Sequence, residues 1–73
     1  MTDWSDKELV DFHIRSAVAA AKRRGVPITL STFVARMRRR NPGLNIHPTY
    51  VLDQIVRVAK DGNVVIEIDR DVA

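Results

Sequence analysis

Apolar residues recur at intervals of three and four in three stretches of the chain, and two shorter stretches read as strands. In the first stretch Leu9, Val10, His13, Ile14, Ala17, Val18 and Ala21 fall on one side of a helix predicted over residues 5–24. Ser5 with Glu8 three residues on has the form of a capping box, and Trp4 and Leu9 stand at hydrophobic-staple spacing. Gly25 supplies the stop after Lys22, Arg23 and Arg24, whose charges suit the negative end of a helix dipole. Next, Val26, Pro27, Ile28 and Thr29 make a short β-branched run that the proline keeps out of helix, so a strand is expected at about 26–29. Thr29 or Ser31 is the expected cap of a second helix, about 30–40, whose buried stripe is Phe33, Val34 and Met37. That helix turns Thr32, Arg36, Arg39 and Arg40 outward and ends at Asn41-Pro42-Gly43. A third helix, about 48–61, starts with Pro48 in its first turn, and Val51, Leu52, Ile55, Val56, Val58 and Ala59 give it an apolar side. It exposes Thr49, Tyr50, Asp53, Gln54, Arg57 and Lys60, and Asp61-Gly62 is its expected stop. In the last stretch, about 64–69, Val64, Ile66 and Ile68 alternate with Val65, Glu67 and Asp69, the pattern of a half-buried strand.

These elements predict one domain of the α+β class over residues 1–73, mainly helical, with a minor two-stranded sheet. Phe12, Phe33, Met37 and Leu52 are its expected core anchors, and Tyr50 is the aromatic expected near the surface, as a packing residue of the helix start or an interface contact. The order helix, short strand, helix, helix, strand, with Pro27-Ile28-Thr29-Leu30 after the first helix and Val64 to Asp69 after the third, resembles the winged-helix form of the helix-turn-helix. The resemblance implies a third helix lying in the DNA major groove, with Thr49, Tyr50, Gln54 and Arg57 toward bases and phosphates. The chain departs from that pattern twice. Seven residues separate Arg40 from Pro48, where a tight helix-turn-helix uses three or four. The wing would be truncated after Asp69, and acidic through Glu67, Asp69 and Asp71.

Composition narrows the class further. A chain of 73 residues buries only roughly 60% of its unfolded surface, and without cysteine it has neither disulfides nor thiolate zinc sites to assist it. Its start carries acids where a secretory signal would carry cations, and no stretch reaches the length of a spanning helix. The expectation is a cytoplasmic protein without membrane contact, as a monomer or a homodimer.

The net charge of +3 conceals a separation along the chain. Residues 1–14 hold Asp3, Asp6, Glu8 and Asp11 against Lys7, a net −3; residues 61–73 hold Asp61, Glu67, Asp69 and Asp71 against Arg70, again −3. Between them ten cations face Asp53 alone, a net +9. Nine of the twelve cations are arginine, whose planar fork bonds phosphates and carboxylates in bidentate fashion. Arg36, Arg38, Arg39 and Arg40 fall within five positions. One or two cations satisfy a helix terminus, whereas four repel one another and, joined by Arg23 and Arg24, concentrate positive potential.

Little in the chain suggests catalysis. His13 and His47 lie in different segments with no serine or carboxylate placed to form a nucleophile–base pair, and Gly25, Gly43 and Gly62 are isolated rather than a phosphate-cradling loop. His13 is expected to pack along its helix and His47 to cap or join elements. No enzyme activity, metal, cofactor or small-molecule substrate is expected. The candidate binding residues are Arg23, Arg24, Arg36, Arg38, Arg39, Arg40, Thr49, Tyr50, Gln54, Arg57 and Lys60.

An arginine-rich single domain of this size also resembles the small regulators with which lytic bacteriophages bind host RNA polymerase. That resemblance implies inhibition of initiation, antitermination or both, a polymerase subunit as partner, action in the host cytoplasm, and contact with nucleic acid near the RNA exit path. The winged-helix resemblance implies instead a DNA-binding repressor or activator. The acidic ends favour a protein partner, and the order of helices favours DNA.

Overall fold

The computed structural model describes residues 4–69, so the expectations for Asp3, Arg70 and Asp71 lie outside the described residues. Three helices, α1 (Asp6–Arg24), α2 (Leu30–Arg40) and α3 (Pro48–Asp61), and two short strands, β1 (Ile28–Thr29) and β2 (Ile66–Glu67), form a mainly helical α+β fold. The helices match the expected ranges within one residue. No helix among the described residues is long and apolar enough to cross a membrane.

The core is a single cluster of eleven side chains. α1 contributes Val10, Ile14, Val18 and Ala21, and α3 contributes Val51, Ile55 and Ala59. Leu30, Phe33 and Met37 of α2 and Ile28 of β1 complete it. Val10, Ile14 and Ile55 are wholly screened from water. Phe12 differs from expectation. It stands two positions beyond Val10, about 200° round the helix, and so projects from the opposite face at 52% exposure. There Trp4 packs on it edge to face, with ring centroids 5.4 Å apart.

Each helix end has an identifiable cause. At the start of α1 the Ser5 hydroxyl accepts from the Glu8 amide at 3.2 Å, while the Glu8 carboxylate accepts from the Ser5 amide at 3.2 Å, which is the expected capping box. At its end Gly25 takes φ +67°, and the Val26 and Gly25 amides bond back to Ala21 and Lys22. α3 ends at Asp61 as expected, but the left-handed position falls one residue beyond Gly62. Asn63, at φ +57°, takes the left-handed position, with the Val64 amide on Ala59 and its own on Lys60. Gly62 serves another purpose, since a Cβ there would meet Val18 Cγ1 of α1 at 3.2 Å. His47 caps the start of α3, its Nδ1 accepting from the Thr49 amide at 3.1 Å.

α2 is capped from a distance. Thr29 precedes it without a side-chain capping bond, and its first turn has no acid. Instead Asp69, 38 residues away, accepts from the backbone amide of Ser31 at 3.1 Å and from the Ser31 hydroxyl. Asp69 is therefore turned toward the protein, not outward as its strand alternation predicts, and Ile68 is 60% exposed. The strands are shorter than expected for related reasons. The Val26 and Val64 amides are spent on the two helix ends, Pro27 has no amide hydrogen, and the chain after Glu67 leaves to reach α2. What remains is a parallel pair, Ile28 opposite Ile66 and Thr29 opposite Glu67, supported by the Ile28 amide on the Val65 carbonyl at 2.9 Å. α2 and α3 together form the crossover that parallel pairing requires.

Three outcomes check this account. A protein of this length has roughly 4–11 kcal/mol of stability, so Ile55→Ala, expected to cost about 2–5 kcal/mol, removes a large part of it in urea denaturation. Gly25→Ala costs about 1–2 kcal/mol through backbone conformation alone, because no atom lies within 4 Å of the added methyl. The Asp69 carboxyl is held below the ordinary carboxylate value, chiefly by the Ser31 hydroxyl, with partial burial opposing and the Ser31 amide assisting. Its contribution is thus present above the unfolded value and lost as pH falls through the depressed one. Asp69→Asn is expected to lower the melting temperature at neutral pH and to flatten the acid side of a stability–pH curve.

Candidate functional site

The small side chains Ser16, Ala17 and Ala20 keep the flank of α1 low where it passes α2, and a groove of about 360 Å³ lies between them. Its base includes Phe33 and Met37 of the core. Arg36 and Arg40, four residues apart on α2, enter it from one side, and Arg24 enters from the end of α1. Thr29 and Thr32 add hydroxyls to the rim. His13 also lines the groove and is tied to its far end. The Asn41 side-chain amide donates to the Met37 carbonyl at 3.2 Å and faces His13 Nε2 at 2.9 Å. Because the carbonyl can only accept, the amide nitrogen must stand at this position, and His13 accepts through Nε2. The pair fastens the C-terminal end of α2 to the middle of α1, so Arg40 and Arg24 stand toward opposite ends of the groove.

The arginine run is therefore divided. Arg38 lies about 200° round α2 from Arg36 and lines the opposite flank of the helix, near Thr49. Arg23 and Arg39 are exposed but line neither flank. Among the described residues, the side-chain hydrogen bonds involve no arginine. The acids behave in the opposite way: Asp6 accepts from the Asn45 amide, Glu8 from Ser5, Asp11 from Tyr50 and Asp69 from Ser31. Those four carboxylates are committed to the fold, whereas Asp53, Asp61, Glu67 and the arginines of α2 are exposed.

α3 presents a weaker surface. Tyr50 is half-buried, its hydroxyl donating to Asp11 of α1 at 3.3 Å with the Lys7 ammonium 5.4 Å from its ring centroid, so it joins helices. Partial burial first, then the Asp11 charge and hydrogen bond, push its phenol above the ordinary value. Gln54 is half-buried too, while Thr49, Arg57 and Lys60 are exposed. Asp53 and Asp61 balance Arg57 and Lys60, leaving the helix without net charge. Sequence reasoning missed the contributions of Ser16, Thr29, Thr32 and Asn41; the run of small residues on one face of α1 was the available signal.

Among the described residues no three His, Asp or Glu side chains come together as metal ligands would. No protein-family model matches the chain, and neither the curated proteins nor the solved structures include a match.

Replacing Arg36, Arg39 and Arg40 together by alanine is expected to leave the melting temperature nearly unchanged, since these exposed side chains make no hydrogen bond among the described residues. A large fall in thermal denaturation would make the run a structural element.

Proposed function

We propose that this chain is a non-enzymatic regulator of transcription that binds the transcription machinery through the arginine face of α1 and α2. The observation that carries the reading is that Arg24, Arg36 and Arg40 line one groove with no side-chain hydrogen bond among the described residues, while Asp6, Asp11 and Asp69 accept hydrogen bonds from distant segments of the chain. Guanidinium groups so placed can fork onto carboxylates or phosphates, and a low apolar base strengthens each contact by excluding water. The resemblance to small phage regulators makes an RNA polymerase subunit the partner, with inhibition of initiation, antitermination or both as the consequence. Acids such as Glu8 and Glu67, exposed on other faces, disfavour indiscriminate attachment to nucleic acid.

One observation favours a second reading, DNA binding through α3: Thr49, Arg57 and Lys60 are exposed along it. Its zero net charge and the inward engagement of Tyr50 and Gln54 make it the weaker of the two.

The test is affinity capture from bacterial lysate, with and without nuclease, at two salt concentrations, comparing the natural chain with Arg24→Ala/Arg36→Ala/Arg40→Ala and with Arg57→Ala/Lys60→Ala. The expected result is nuclease-resistant recovery of polymerase subunits, lost in the first variant and kept in the second. Recovery of nucleic acid alone, abolished by the second variant and falling with salt by a log–log slope of about −0.9 per phosphate, would instead establish the α3 reading.

A further inference from the structure

The seven residues between α2 and α3 are too many for a tight turn, and they build something. Asn41 to Leu44 form a turn closed by the Leu44 amide on the Asn41 carbonyl, and the Asn45 amide is held by Asp6 of α1 at 3.3 Å. Leu44 and Ile46 are thereby set against the core as one wall of a second groove, about 690 Å³ in volume, on the flank of α2 away from Arg36 and Arg40. Val34 and Leu52 form its sides, both half-buried, and Ile68 stands at its edge with 60% of its surface in water. An isoleucine that exposed beside an open apolar groove is surface a partner can cover.

The charge is as informative as the shape. Among the described residues lining this groove Arg38 alone is charged. It stands seven residues along α2 from Ser31, about 10 Å by helix rise, and Ser31 marks the end at which Asp69 is bound. The apolar groove thus has a guanidinium toward one end and, beyond the other, a carboxylate already bound to Ser31. Two copies of the chain docking by this face would bring arginine-rich α2 helices together, which argues against self-association.

We infer that the groove between α2 and α3 is a docking site for an acidic amphipathic helix of a partner protein, its apolar side chains lying among Val34, Leu52 and Ile68 and a carboxylate paired with Arg38. The length available matches roughly two turns of such a helix. The site lies outside the arginine groove, so a partner can be held on both flanks of α2.

The test uses a fluorescein-labelled amphipathic helical peptide of roughly 14 residues, with Leu on one face and Glu on the other, read by fluorescence anisotropy. Saturable binding is expected, with loss of roughly tenfold or more on Ile68→Asp. Amide NMR shifts should centre on Val34, Leu44 and Leu52. Arg38→Glu should weaken the Glu peptide and strengthen its Lys counterpart, a reversal that altered folding would not produce. Arg36→Ala/Arg40→Ala should leave peptide affinity within about twofold, which separates this site from the arginine groove. If Ile68→Asp does not fold, the Arg38→Glu reversal decides alone. Equal binding by Ile68→Asp and the natural chain, no binding of the Glu peptide, loss only in Arg36→Ala/Arg40→Ala, or sedimentation showing a dimer that Ile68→Asp dissolves would each overturn the inference.

Discussion

Eleven buried side chains have to hold three helices, and the way they are shared out governs the rest of the molecule. α1 and α3 pack along each other through Val10, Ile14 and Val18 on one side and Val51 and Ile55 on the other, and the three fully screened side chains all lie in this pair. α2 is the third member and contributes only Leu30, Phe33 and Met37, a narrow stripe along its eleven residues. A helix seated on so narrow a stripe touches its neighbours along one line, so the surface on either side of that line stays open. The two grooves that flank α2 follow from this seating, and both have it as a wall.

A helix held so lightly by apolar contact needs its ends secured, and the chain secures them with polar groups from elsewhere. Asp69 closes the N-terminal end by occupying the first-turn amide and hydroxyl of Ser31, which also brings β2 to β1. Asn41 closes the other end through His13. The separation of charge seen along the sequence thereby becomes a division of use. Carboxylates near both ends of the chain accept hydrogen bonds that join distant segments, and the arginines in the middle make no side-chain hydrogen bond among the described residues. Their mutual repulsion is tolerable because α2 distributes Arg36 and Arg40 to one flank and Arg38 to the other.

Local pattern made much of the fold legible. Helical periodicity, the capping box at Ser5 and Glu8, Gly25 at the end of α1 and Pro48 at the start of α3 are properties of a few neighbouring residues, and the helices fall where those signals place them. The strands were legible only in part, because Val26 and Val64 look like strand residues but spend their amides on helix ends. Phe12 illustrates another failure: hydrophobicity suggested the core, although its position two residues from Val10 puts it on the far face.

By itself, then, the sequence determined the three helices, their apolar stripes, and the shared flank of Arg36 and Arg40, since all of these depend on angles between residues within a few positions of one another. Only the tertiary structure decided that Arg24 joins that flank, that Arg38 serves a different groove, that Tyr50 turns inward to Asp11, that Asp69 caps a helix from the far end of the chain, and that the strands pair in parallel. Each of these is a meeting of segments distant in sequence, and such meetings are set by how the helices cross and where the connections between them run.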